Sequence, residues 1–340
     1  MDESSEQRLA RLDHAHVWHP FTPMRQWRQQ PPLIIESAEG FELVTTDGRR
    51  LIDGVSSLWC NVHGHRVPAI DQAIRDQLEK VAHSTLLGLS SPPAIELAAK
   101  LAEVVPGPAD RVFYSDAGAT AVEVAFKMAV GSWYHRGEPQ RNRLIGVEGA
   151  YHGDTTGSMS VGYSPLFHRP FERMLFETDM TPAPDAMNPP TGLELEPLED
   201  LRIWPSEDER RSEALRTGCL ERLETLLKVH DGATAAIVVE PVIQGAAGMV
   251  AHPDGYLAGV AALAREYGTL LIADEVATGF GRTGPMFACE REGVEPDIIC
   301  LAKGISGGYL PLAATVATAE IEQAFCGEPE ERRTLYHGHT

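Results

Sequence analysis

Apolar residues fall along this chain in two rhythms. Short unbroken runs occur at Arg111-Val112-Phe113-Tyr114, Ala235–Val239, Thr269–Ala273, Ile298–Leu301 and Leu312–Val316. A strand covered on one face alternates apolar with polar residues, whereas one covered on both faces does not. These runs therefore predict buried strands in a mostly parallel sheet flanked by helices. The second rhythm is helical. Ser91 places a capping hydroxyl before Pro92-Pro93, which suit a first turn; Ile95, Ala98, Leu101, Ala102 and Val105 follow at helical spacing, and Pro106-Gly107-Pro108 stops the run. Tyr256, Val260, Leu263 and Tyr267 mark another helix, closed by Gly268. Alternation of this kind over 111–318 predicts an α/β domain.

Other stretches depart from that pattern. The first sixty residues hold three tryptophans, and Phe41–Thr45 followed by Asp47-Gly48 reads as a strand and a turn. We expect a smaller N-terminal segment over 1–64 and a large domain over 65–340. Residues 177–216, rich in Pro, Glu and Asp, predict a surface excursion. No internal repeat is evident.

Charge narrows the function classes. Lys plus Arg is 29 against 49 for Asp plus Glu, a formal charge of −20, which argues against nucleic acid or an anionic membrane as partner. The start, Met1-Asp2-Glu3-Ser4-Ser5-Glu6, lacks the basic residues and apolar core of a secretion signal. No apolar run approaches the roughly 18 residues of a membrane span. Five scattered cysteines without a CxxC pair predict reduced thiols and a cytoplasmic location.

Several motifs offer chemistry. Gly279-Phe280-Gly281-Arg282-Thr283-Gly284 fits a dinucleotide fingerprint after a strand, but Pro285 follows and no helical period opens, which counts against a nicotinamide site. The pairs His63/His65 and His337/His339, and the group His14, His16 and His19, lack the further ligands of a metal site, so no metal is expected. His152 reads as an orienting or packing residue. More informative are Asp274 and Lys303, each ending a predicted strand and so expected on one carboxyl edge of the sheet, where ligands bind. Gly118-Ala119 sits between a strand and a helix, where small residues let backbone N–H groups approach an anion. With the aromatic face of Tyr151, these are the parts that pyridoxal phosphate requires. A structural Asp–Lys ion pair beside an ordinary turn explains the same spacing.

The stretch Leu271–Gly284, followed 29 residues after Asp274 by Lys303, resembles the signature of the class III aminotransferases, pyridoxal-phosphate enzymes of the aspartate aminotransferase fold (fold type I). The likeness continues through Tyr151-His152-Gly153-Asp154-Thr155, Glu240-Pro241 and His337-Gly338-His339-Thr340. His16–Met24 and Asp53–Trp59 are similar to motifs of the branch that aminates 8-amino-7-oxononanoate in biotin synthesis.

The resemblance implies an α/β large domain and a small α+β domain that is incomplete at the C-terminus. It implies pyridoxal 5'-phosphate as cofactor, with Lys303 as the amine that joins it and then shuttles the proton. Asp274 would hold the pyridine nitrogen and Gly118 and Ala119 the phosphate, with Tyr151 near the ring. His339 and Thr340 would reach the cofactor of a neighbouring subunit, making the site that of a homodimer. Phe21, Leu58, Trp59 and Gly338 would border substrate.

Phe21 stands where members using S-adenosylmethionine usually carry tyrosine, and Leu58-Trp59 where they carry two tryptophans. Some relatives using lysine share these residues, so both donors stay open. Ala117 stands where a serine is common. Relatives continue for on the order of a hundred further residues, including the arginine for the substrate carboxylate, so a truncated chain is expected. Another ω-amino acid or diamine aminotransferase, or an inactive truncated protein of the same fold, are the alternatives.

Overall fold

The computed structural model describes residues 4–195 and 209–338. The chain divides into two compact units, Met1–His83 and Ser84–Thr340. The first carries helices α1 (Ser5–His16) and α2 (Met24–Trp27), a single turn α3 (Ser56–Trp59) and helix α4 (Pro68–Leu78). Strands β1 (Ile35–Glu39), β2 (Glu42–Thr45) and β3 (Arg50–Ile52) pair there as an antiparallel sheet, as the Phe41–Thr45 pattern predicts. Asp13 organises the turn after α1: its Oδ1 accepts from Trp27 Nε1 at 2.8 Å and its Oδ2 lies 2.9 Å from His19 Nε2.

The second unit is built on one seven-stranded sheet. Its strands are β4 (Ala109–Ser115), β5 (Arg143–Val147), β6 (Asp179–Thr181), β7 (Thr234–Val239), β10 (Leu270–Asp274), β11 (Ile298–Leu301) and β12 (Ala313–Thr318). Strands β8 (Ile243–Gln244) and β9 (Val250–Ala251) form a separate small hairpin. The sheet order is β4-β12-β11-β10-β7-β5-β6, and only β12 runs against the others.

Helices α5 (Pro92–Val104), α6 (Gly118–His135), α7 (Thr156–Val161), α8 (Pro165–His168), α9 (Glu209–Val229), α10 (Tyr256–Glu266) and α11 (Ala319–Ala324) complete the unit. Successive strand residues point to opposite faces, and the buried side chains divide accordingly. Ile237, Val239, Leu271, Ala273, Ile299 and Leu301 pack with α5, α9 and α10. Ala236, Val238, Ile272, Ile298 and Cys300 pack with α6, which is apolar around much of its circumference because it lies between sheet and neighbours. Two cores on one sheet explain why the strand sequences do not alternate.

Two expectations need correction. Ser91 is the N-cap of α5, but its hydroxyl makes no cap bond; Pro92 and Pro93 have removed the first two N–H donors. The stretch 177–216 is not all loop. Its start forms the edge strand β6, where Asp179 pairs with Arg143 of β5 at 2.8 Å, a polar edge that apolar patterning overlooks. Its end enters α9, whose stripe Leu215, Cys219, Leu223 and Leu227 is buried one residue in four. Residues 196–208 of that stretch lie outside the described residues.

Candidate active site

Because β4, β5, β7, β10 and β11 run in one direction, the segments that follow them emerge at one edge of the sheet. That edge receives Gly118 after β4, Tyr151 and His152 after β5, Glu240 after β7, Asp274 at the end of β10 and Lys303 after β11. Asp274 and Lys303 thus leave adjacent parallel strands, with Asp274 in register with Cys300.

Asp274 is only 3% exposed. Its Oδ2 lies 2.6 Å from His152 Nδ1, and its Oδ1 accepts the Val276 N–H at 3.0 Å. Burial alone would lower the His152 pKa; the hydrogen bond and charge of Asp274, joined by Glu240, turn it upward. His152, read from sequence as an orienting or packing residue, is buried against the Asp274 carboxylate and hydrogen-bonded to it. Its Nε2 is buried without a protein partner.

Glu240 lies behind this pair, its two oxygens accepting the N–H groups of Tyr151 and Gly245, each at 3.1 Å. Burial pushes Glu240 up to about 7, with His152 opposing and the Asp274 charge adding. Tyr151 donates its hydroxyl to Asp154 at 2.8 Å, and its ring lies nearly parallel to His168. Burial first, then Asp154, pushes the phenol pKa up.

The start of α6 packs closely under the Asp274 loop. A Cβ on Gly118 would stand 2.5 Å from Val276 Cγ1, so only glycine fits. Gly153 (φ +115°) approaches Ala119 so closely that a Cβ there would overlap the alanine methyl. The first N–H groups of a helix have no acceptor within it, so Gly118 and Ala119 offer a backbone cradle for an anion. Lys303 is half-buried and opens a short 3-10 turn with a left-handed backbone (φ 44°), a conformation costing roughly 1–2 kcal/mol for an L-residue. A Cβ on Gly304 would meet Phe280 Cβ at 2.8 Å, which ties the lysine turn to the Gly279–Gly284 loop.

That loop accounts for its own glycines. Gly281 and Gly284 have positive φ, and Gly279 approaches Glu275 O. Turns occupy the stretch, and the next helical residues, Ala288–Glu292, form only a 3-10 turn. The helix N-terminus that a dinucleotide fold places there is replaced by Glu275. This carboxylate, fully buried, accepts from Thr278 Oγ1 and the N–H groups of Ala288 and Cys289.

The remaining predicted residues fall in two places. Phe21, Leu58 and Trp59 belong to the first unit; Phe21 and Leu58 are exposed. Gly338 is exposed in the second unit, in a terminal segment where His337 Nδ1 lies 2.9 Å from Lys127 Nζ. His339 and Thr340 lie outside the described residues. Glu240 and Val276 were not assigned roles from sequence. Glu240 had a signal, since a carboxylate directly after an unbroken apolar strand repeats the Asp274 pattern; Val276 had none.

The family profile described as "Aminotransferase class-III" matches residues 24–340. The chain belongs to the class III aminotransferases. Members are pyridoxal-phosphate enzymes, and the parallel-sheet architecture above is the α/β fold expected of them. The chain is 51% identical over 337 residues to adenosylmethionine-8-amino-7-oxononanoate aminotransferase of Nitratidesulfovibrio vulgaris, covering 98% of this chain and 59% of that protein. The Geobacter sulfurreducens protein of the same name is 46% identical, with 100% of this chain and 72% of that one covered. The structure of the Methanocaldococcus jannaschii protein of that name aligns with TM-score 0.87 at 42% identity, over 99% of this chain and 71% of that one. A Thermomicrobium roseum (S)-enantioselective omega-transaminase aligns with TM-score 0.88 at 36% identity, over 98% and 70%.

The site geometry suits the family's cofactor on its own terms. A buried carboxylate braced by His152 keeps a lone pair on each oxygen for a ring N–H. The glycine cradle offers N–H groups to a phosphate.

Proposed function

We propose that this class III aminotransferase transfers an amino group to the ketone of 8-amino-7-oxononanoate, giving 7,8-diaminononanoate, with S-adenosylmethionine or lysine as donor. The substrate class is supported by the names of relatives at 51% and 46% identity. One observation carries the chemistry: Asp274, buried against His152, and Lys303 leave adjacent parallel strands at one sheet edge.

Pyridoxal phosphate, when bound, supplies an aldehyde for the amine and a ring that accepts the electrons left on the substrate carbon. In our reading the protein's residues do the rest. Asp274, held in place by His152, would keep the ring nitrogen protonated. Lys303 Nζ takes the proton from the carbon bearing the amine and returns it on the other side of the exchange. The N–H groups of Gly118 and Ala119 hold the phosphate, and Tyr151, anchored by Glu240 and Asp154, covers the ring. Phe21, Leu58, Trp59 and Gly338 border the substrates, and His339 and Thr340 complete the phosphate site of the other subunit in a homodimer.

The test is direct. Protein loaded with pyridoxal phosphate is incubated with 8-amino-7-oxononanoate and either donor, and 7,8-diaminononanoate is followed by mass spectrometry. Product that depends on Lys303 is expected; none with either donor overturns the proposal. The omega-transaminase alignment favours a second reading, amination of simple ketones. Turnover of such ketones in place of 8-amino-7-oxononanoate would select it.

A further inference from the structure

The turn α3 has an unusual hand. Ser56 (φ 51°), Ser57 (47°), Leu58 (69°) and Trp59 (67°) are all left-handed, and none is glycine. L-residues adopt this conformation singly, not in runs, because Cβ crowds the following carbonyl oxygen. A strained run of four persists only where its surroundings over-determine it.

The surroundings here form a continuous chain of contacts. Within the turn, Trp59 N–H donates to Val55 O at 2.8 Å and Cys60 N–H to Ser56 O at 3.1 Å. Asp53 grips it from below: Oδ1 accepts the Ser57 N–H and Oδ2 the Ser57 hydroxyl, both at 2.8 Å. His65 Nε2 lies 2.9 Å from the same Oδ2, and the Asn61 side-chain amide lies 2.8 Å from the His65 ring. His65 is fixed in turn by two backbone bonds with Gly40, at the corner between β1 and β2. Gly64 allows that approach, since a Cβ there would stand 2.8 Å from Gly40 O. The Asp53 carboxylate is only 7% exposed, while Leu58, the residue directly after its grip on Ser57, is 66% exposed. Its donors hold the Asp53 carboxyl below the usual carboxylate range, against the burial that by itself would raise it.

Hand decides presentation. In a turn of about 3.6 residues, neighbouring side chains point roughly 100° apart, and reversing the hand exchanges the sides on which Leu58 and Trp59 emerge. We propose that Asp53, braced by His65, is a positioning residue that locks α3 in its left-handed turn and so fixes how Leu58 and Trp59 meet the amino donor. The donor-facing part depends on the function proposed above; the lock does not.

Hydrogen exchange on the full chain tests the lock. Asp53→Ala should speed exchange of the amides of 57–60 by about tenfold or more. Asp53→Asn keeps an acceptor for the Ser57 N–H and a donor for its hydroxyl, and should retain most of the protection. Ser56→Gly relieves one left-handed residue and should raise Tm by about 1–2 °C. In turnover, Asp53→Ala should raise donor KM about tenfold with kcat and acceptor KM little changed, and Asp53→Asn should restore it. Unchanged exchange in Asp53→Ala, or a lower Tm in Ser56→Gly, overturns the lock whatever the enzyme acts on. Faster exchange with an unmoved donor KM overturns the positioning role. Failure of the wild type to turn over either donor removes the donor-facing role with the function itself, while exchange and melting still decide the lock.

Discussion

Replacing Gly118 by alanine isolates the contact that sets the start of α6 against the Asp274 loop. The new Cβ would stand 2.5 Å from Val276 Cγ1, 3.0 Å from Cγ2 and 3.4 Å from Cβ. Rotation about χ1 gives no escape. Two of the three staggered positions face Gly118, and two methyls cannot vacate both. Overpacking of this kind costs about 1–3 kcal/mol, offset by up to about 1 kcal/mol from the better helix propensity of alanine. The net loss of about 1–2 kcal/mol lowers Tm by about 1–4 °C.

The Val276 N–H also donates to Asp274 Oδ1, so displacement of Val276 reaches the group proposed to hold the cofactor ring. Cofactor affinity should fall with stability. Val276→Ala removes both γ-carbons, so the double variant should melt no lower than Val276→Ala alone, a coupling of about 1 kcal/mol or more. Scanning calorimetry on the four proteins and fluorescence titration with pyridoxal phosphate give the readings. A Gly118→Ala protein as stable as wild type, or one that Val276→Ala does not rescue, would refute the reasoning.

Other outcomes follow from the same geometry. His152→Leu leaves the buried Asp274 carboxylate without its partner and should cost about 3–5 kcal/mol, whereas changing both residues to leucine should cost less; urea melts distinguish them. Glu240, raised from 4.5 to about 7, is protonated in the fold over a range where the unfolded chain has lost that proton, so it removes about 1.4 kcal/mol of stability per pH unit as pH rises through that window. Glu240→Gln should therefore gain on wild type between about pH 4.5 and 7 and hold a constant difference above it, read from Tm at each pH. Lys303→Ala should lower transamination by about a thousandfold or more; substantial residual turnover would exclude its proton-transfer role.

The sheet was legible because its strands are buried on both faces and read as unbroken apolar runs. The same logic located Asp274 and Lys303, since parallel strands must deliver their ends to one edge. Gly118-Ala119 was legible as a small pair between strand and helix, though the reason that glycine is required, the bulk of Val276, is a tertiary contact with no local trace. Strand β6 escaped because three residues opening on an aspartate give no apolar period; its pairing with β5 and the Asp179–Arg143 contact explain it. The left-handed turn α3 was invisible, since Ser-Ser-Leu-Trp carries none of the glycine or asparagine that ordinarily announces positive φ.

The loops at the sheet edge share a further reason for being hard to read: acids hold them where apolar packing does not. Glu275 accepts from the N–H groups of Ala288 and Cys289, Glu240 from Tyr151 and Gly245, Glu292 from Gly255 and Ala258, and Glu123 from Gly157 and Ser158. Each acid gives two backbone donors an acceptor, and these bonds oppose the cost of burial, which still prevails at Glu240 and Glu275. Such pins leave no periodicity, because one polar residue fixes segments distant in sequence. They do leave a placement. Glu240 follows Val239 directly, and Asp274 and Glu275 follow Ala273, each acid ending a doubly buried strand where solvent cannot stabilise it. A carboxylate in that position must find donors within the protein or hold a ligand. Here Asp274 and Glu240 face His152 together, so the pins of the scaffold and the charge of the site belong to one electrostatic system, which is why the Glu240 titration and the hold of Asp274 on its partner should move together.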